Sequence, residues 1–139
     1  MDRNNLNVFF RENVEAKRTE IEIQASDRFK DKEGNPIPFV FRLLEAKEIA
    51  ELKEKGYETD KNGNIKVTTS KMARETILRS IIFPNLNDKA LQDNYKASSA
   101  GQLLNAMLEG REYEKLGDKL VREQGLVADY KELIKKAKN

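Results

Sequence analysis

Apolar and polar positions change their period partway along the chain. In residues 19–24 (TEIEIQ) they alternate, which predicts a half-buried strand. Residues 38–43 (PFVFRL) put Phe39, Phe41 and Leu43 on one face and read as the return strand of a β-hairpin. Between them lies the charged run 26–36, ending in Gly34-Asn35-Pro36, a turn signal. A lone hairpin is marginal in water, so its apolar face must lie against helices. Ahead of it, Asn4 or Asn5 can cap a short helix in which Leu6, Phe9, Phe10 and Val14 recur near helical spacing. Packing of the two phenylalanines on the protein's own core is favoured over an exposed docking knob.

From residue 45 onward the period is mostly helical. Residues 45–55 predict a charged helix with Ala46, Ile49, Ala50 and Lys53 as a thin inner stripe and Leu52 beside it. Glu51 and Lys55 are spaced to pair, and Gly56 is placed to end the helix. Residues 57–67 read as an Asn-Gly hairpin. Thr69 or Ser70 then caps a strong helix with Met72, Ala73, Thr76, Ile77, Ser80 and Ile81 on one face, widened by Leu78 and Ile82. It must stop before Pro84. Asn87 or Asp88 caps a short helix facing inward through Ala90, Leu91, Asn94 and Tyr95. Ser99 and Gln102 form a capping box opening a helix with Leu103, Leu104, Met107 and Leu108, ended by Gly110. Residues 112–124 carry Tyr113, Leu116 and Leu120 at coiled-coil-like spacing. A last helix over 127–138 turns Tyr130, Leu133, Ile134 and Ala137 to one side. The expected fold is α+β and mainly α-helical, with five to seven helices and one or two β-hairpins in the N-terminal half. Residues 1–139 form a single domain, 1–69 holding helix and β elements and 70–139 a helical half.

Composition narrows the function more than the fold. Hydrophobic residues make up 38% and charged residues 36%, so a modest core lies under a highly charged surface. The 26 basic and 24 acidic side chains are interleaved, leaving +2 overall. Duplex binding calls for a basic face and a domain pI above about 9, so no nucleic-acid partner is indicated. The basic end, Lys131, Lys135, Lys136 and Lys138, reads as a helix terminus complementing its dipole. No apolar run approaches the roughly 18 residues of a membrane span, and the N-terminus lacks the apolar region of a signal peptide. A cytoplasmic protein with no membrane partner is expected.

Cysteine and histidine are both absent, which removes disulfides, thiolate chemistry, the commonest general base and the commonest metal ligand. Residues 58–69 resemble part of a calcium loop through Asp60, Asn62, Gly63 and Ile65. Glu58 at the first position and Thr69 at the twelfth lose the site, and the hairpin reading is preferred. No phosphate-binding glycine loop is present, and Ser70, Ser80, Ser98 and Ser99 have no histidine partner. No catalytic residue, metal site or cofactor is predicted, and the protein is not expected to be an enzyme. What remains is binding through apolar surface. Leu103, Leu104, Met107 and Leu108 form a compact Leu/Met face, with Phe83, Leu86, Leu91 and Tyr113 around it. Two readings stay open at this point, core packing against the 72–82 helix or a partner-binding face.

Three stretches, taken in order, resemble one family. The charged hairpin at 26–39 (SDRFKDKEGNPIPF) leads into a Pro-aromatic strand. The run 83–95 (FPNLNDKALQDNY) resembles a "PNL-D-LQDSY" segment, and Gly101 through Tyr113 an "A-LL-ML-GEY" segment. Together they cover about two thirds of the chain and are similar to the XkdN-like small tail assembly chaperones of phages and phage-like particles with long tails. Arg111 between Gly110 and Glu112, and Asn94 in place of a frequent serine, depart from the pattern. The resemblance implies a non-enzymatic chaperone in the cytoplasm of the bacterial host. Such a protein would coat the tape measure protein, keep it soluble, recruit tail tube protein and leave before the tail is finished. Many weak contacts along one long partner would also suit self-association. A structural adaptor retained in the tail is the alternative, followed by a small nucleic-acid-binding regulator.

Overall fold

The computed structural model describes residues 3–67 and 69–127. The alternating stretches form β1 (Glu20–Ile23) and β2 (Phe39–Arg42), paired antiparallel with Ile21 opposite Phe41 and Ile23 opposite Phe39. Period two buries those four side chains on one face and leaves Glu20 and Glu22 in solvent. The loop between the strands folds back on itself. Lys30 bridges Pro36, and the Asp31 carboxylate accepts from the N–H groups of Glu33 and Asn35. Those donors, that of Asn35 foremost, hold the Asp31 carboxyl below its ordinary pKa. Phe29 stacks on Phe39 with ring centroids 5.6 Å apart.

Next comes α1 (Ala46–Lys55), opened by a Glu45–Glu48 capping box. The expected inner stripe is rotated: Leu52 is fully buried, whereas Ala46, Ala50 and Lys53 are exposed. Leu52 and Ile49 are the two large apolar side chains on the helix, and their packing on the second core cluster sets the rotation. Glu51 and Lys55 do not pair with each other. They reach across to Arg79 (3.0 Å) and Glu75 (3.3 Å) on the next helix. The hairpin follows as β3 (Tyr57–Thr59) and β4 (Ile65–Val67), with Tyr57 opposite Val67. Its turn uses Asp60 to accept from the Asn62 and Asn64 N–H groups, and Gly63 supplies φ +82°.

The helix α2 (Thr69–Ser80) buries Met72, Ala73, Thr76, Ile77 and Ser80. The buried hydroxyls are satisfied locally: Thr76 donates to the Met72 carbonyl and Ser80 to the Thr76 carbonyl. The helical pattern continues on paper through Ile82, but the helix ends at Ser80. Ile81–Phe83 becomes β5, a third strand on the open side of β2 in the order β1-β2-β5. Two β-branched residues and an aromatic before a proline favour extended backbone, and the free edge of β2 supplies the hydrogen bonds. The mainly helical second part thus donates a strand to the sheet. The Phe83–Pro84 peptide is cis.

Asp88 caps α3 (Lys89–Asn94) by accepting from the Leu91 N–H. Ser99 caps α4 (Ala100–Met107) by accepting from the Gln102 N–H, but Gln102 turns to the N–H and hydroxyl of Ser98. The capping box is therefore only half formed. Gly110 does not end α4. It is the first residue of α5 (Gly110–Glu123), which opens with a Glu109–Glu112 capping box. The helix expected over 127–138 lies outside the described residues, Val127 excepted.

The fold is α+β, with five α-helices and two sheets among the described residues. One core cluster joins the sheet to α2, α4 and α5 through Phe41, Ile77, Leu86, Leu104, Leu116 and Leu120. A second, smaller cluster holds Leu52, Met72, Ala73, Val121 and Leu126 between α1, α2 and α5. Along the α2–α5 contact Gly117 lets the helices close: a Cβ there would stand 3.1 Å from that of Ala73. Gln124 at the end of α5 is buried. Its amide accepts from the Leu44 N–H (3.0 Å) and donates to the Arg42 carbonyl (2.8 Å), satisfying the backbone where β2 runs out.

Candidate protein-interaction surface

The Leu/Met face of α4 is the floor of the main core. Leu103, Leu104, Met107 and Leu108 are buried, as is Leu86. They pack in one cluster with Ile21, Phe39 and Phe41 of the sheet and Leu116 and Leu120 of α5. Leu91 and Tyr113 are half-buried against the same cluster. Of the eight residues singled out from the sequence, only Phe83 is exposed, at 51%. The other seven are brought together, but as interior. The physical reason is the sheet: its apolar face needs a cover, and α4 is an apolar helix within reach of it.

Ion pairs fasten this core from outside. Arg28, on the loop before β2, donates to the Glu112 carboxylate (2.6 Å) and the Met107 carbonyl (2.8 Å), tying that loop to both α4 and α5. The Arg28 guanidinium, and after it the Ser26 hydroxyl, lowers the Glu112 carboxyl to about 2. Arg42 grips Glu48 with two 2.8 Å bonds, and this pairing lowers the Glu48 carboxyl to about 2. Both groups are structural clamps, each paired with its own arginine.

A shallow groove of about 260 Å³ runs between the start of α2 and α5, lined by Ser70, Ala73, Tyr113, Glu114, Gly117 and Asp118 among others. It offers the hydroxyls of Ser70 and Tyr113, two carboxylates and the Lys115 amine but no imidazole or thiol, since the chain has neither histidine nor cysteine. Among the described residues no cluster of three metal-ligating side chains occurs, and no helix is long and apolar enough to cross a membrane.

The exposed apolar surface lies elsewhere. Leu6, Val8, Phe9, Phe10 and Val14 are 46–73% exposed, and every residue from 3 to 20 is on the surface. In place of the expected core-packed helix the segment forms two single 3-10 turns, Asn7–Phe9 and Arg11–Asn13. The asparagines explain why. Asn5 accepts from the Asn7 N–H (3.2 Å), and the Asn13 amide donates to the Asn7 carbonyl (2.7 Å). Such local bonds compete with the helical ladder and clip the two turns together. The second exposed patch is Ile82 (45%) with Phe83, on the outer strand of the sheet. The usable signal for the first patch was the density of asparagines around it, Asn4, Asn5, Asn7 and Asn13, which favour turns over helix.

Among the described residues the chain is thus an α+β protein with a filled core, arginine–carboxylate clamps and two exposed apolar patches. The chain belongs to the phage XkdN-like tail assembly chaperone family, whose model matches residues 6–138. It is 33% identical over 126 residues to the uncharacterised protein YqbN of Bacillus subtilis strain 168, covering 86% of this chain and 84% of that one. It is 32% identical, with the same coverage, to the XkdN protein of the phage-like element PBSX of the same strain. The crystal structure of a protein named YqbN superposes with a TM-score of 0.62 at 23% identity, over 87% of this chain and 96% of the other, a likeness of fold. The family is one of assembly chaperones, a class not typically enzymatic.

Proposed function

We propose that this protein binds the tape measure protein of a phage-type tail and keeps it soluble in the bacterial cytoplasm. It then helps recruit tail tube subunits and is absent from the finished tail. Membership of the tail assembly chaperone family over nearly the whole chain is the observation that carries this reading. The exposed segment around Phe9 and Phe10 supports it, because a chaperone for a long apolar helical client needs apolar surface of its own. Leu103, Leu104, Met107 and Leu108 serve as the rigid floor beneath that function, and Phe83 remains a contact residue. Co-expression with the tape measure protein of the same tail is the test. A soluble complex on gel filtration is expected; an insoluble tape measure protein with no complex would sink the reading. Mass spectrometry of purified particles separates a chaperone, which is missing from them, from an adaptor, which is retained.

A further inference from the structure

The chain turns back on itself where α5 ends. The Gly125 N–H donates to the Arg122 carbonyl (3.0 Å) and the Leu126 N–H to the Val121 carbonyl (2.8 Å), with Gly125 at φ +78°. This is the Schellman pattern, and its usual apolar contact is present as well, because Leu126 and Val121 share the second core cluster. Residues 128–139, outside the described residues, follow this turn directly. Beside it runs the stripe Tyr113, Gly117 and Val121 of α5, which with Ser70 and Ala73 of α2 lines the shallow groove. Pattern and charge both say what that groove takes. In 128–138 Tyr130, Leu133, Ile134 and Ala137 stand at helical spacing, an apolar stripe that a helix must bury. Tyr130 to Ala137 spans about 10 Å of helix and Tyr113 to Val121 about 12 Å, so the two stripes match in length. The groove carries the Glu114 and Asp118 carboxylates on its rim. Among the described residues Glu114 has no ion partner, and Asp118 meets only Arg122 of its own helix (2.8 Å). Lys115, on the same rim, is exposed. The segment brings Lys131, Lys135, Lys136 and Lys138 against Asp129 and Glu132.

We propose that residues 128–138 fold back as a helix antiparallel to α5 and close the groove between α2 and α5 of the same chain. Tyr130, Leu133, Ile134 and Ala137 lie on its floor, and Lys131 and Lys135 come level with Asp118 and Glu114. The connection, Gln124 to Leu126, has the length that joins antiparallel helical neighbours. Apolar burial drives the closure, and the exposed ion pairs set its register while adding little to its strength. The exposed N-terminal patch is the other apolar surface near at hand. It balances Arg3 and Arg11 against Glu12 and Glu15, so it offers no carboxylate rim to a lysine-rich segment. With the groove filled by the chain itself, the apolar surface left open among the described residues is Leu6 to Val14 and Ile82 with Phe83.

The test uses the purified full-length protein alone, first by hydrogen exchange. Amides 129–137 should exchange roughly tenfold or more slowly than those of an unstructured chain. Leu133→Asp with Ile134→Asp should return them to the unstructured rate. Circular dichroism checks that the body stays folded, and the corresponding serine pair stands in if it does not. Location is read by cross-linking, which the absence of cysteine makes clean. With a short bis-maleimide, Glu114→Cys with Lys135→Cys should link within one chain roughly tenfold faster than Glu12→Cys with Lys135→Cys, as expected for a local effective concentration. Unprotected amides in the wild type, or protection that survives the double aspartate, overturn the proposal. So does linking to position 12 as fast as to position 114. A cross-linked dimer as the main product overturns it too, since the segment would then lie on a second copy. None of these readouts involves the tape measure protein, so the proposed function stands or falls separately.

Discussion

Leu103, Leu104 and Met107 in α4 with Leu108 just after it, and Leu6, Phe9, Phe10 and Val14 near the N-terminus, are apolar clusters of similar size and spacing, with opposite fates. The first is sealed under the sheet, and the second projects into water. What separates them is the neighbourhood. α4 has a Ser99 cap, a following helix held to it by Arg28, and an apolar sheet face to cover. The N-terminal cluster has asparagines that close 3-10 turns, charged residues 11 and 12 within it, charged residues 15, 17 and 18 between it and the sheet, and no buried partner among the described residues. Apolar periodicity is a licence to pack, and whether it is used depends on an available surface. Under the proposed function the cluster left over is the one offered to a client.

Substitution separates the two regions, and the largest effect belongs to the interior. Leu104→Ala should cost about 2–5 kcal/mol of stability, because the site is fully enclosed and a cavity remains. Denaturant unfolding measures it; a loss under 1 kcal/mol would mean that the α4 face is not core. Gly117→Val should cost about 1–3 kcal/mol by forcing α2 off α5 at Ala73, read from the same curves. Acid sharpens the contrast through the clamps. Glu48 and Glu112 have folded values of about 2 against 4.5 for the free group, so the unfolded chain binds more protons between those values. The stability they contribute is complete above about pH 4.5 and is lost as pH falls toward 2. Glu112→Gln should flatten that part of a pH–stability profile; an unchanged slope would remove the clamp from the account. The smallest effect belongs to the exposed cluster. Phe9→Ser with Phe10→Ser should change stability by less than about 0.5 kcal/mol, checked by thermal melting.

Much of this architecture was legible beforehand. Period two located β1 and β2, and Asn62-Gly63 located the small hairpin to its register. Asp88 and Ser99 marked two helix starts by their side-chain oxygens. The family resemblance in residues 83–113 pointed to the same chaperones that the match over 6–138 identifies. Less legible were the ends of elements. Ile81 and Ile82 continue the stripe of α2 but were claimed by the edge of β2. Gly110 looks like a stop and serves as a start, because the Glu109–Glu112 capping box restarts the chain there. The burial of apolar faces was least legible, since a Leu/Met face reads the same whether it is floor or surface.

The sequence by itself determined what is local or compositional. These features are the strand period, the caps and turns, the lack of histidine and cysteine, and the near-balanced, interleaved charge. They follow from a residue's own chemistry and its near neighbours. Tertiary structure alone decided which apolar cluster is buried, that Ile81–Phe83 is a strand, and that Arg28 finds Glu112. It also turned Glu51 and Lys55 away from each other to partners on α2. Burial, edge pairing and long-range ion pairs depend on which surfaces meet, and that is a property of the assembled chain.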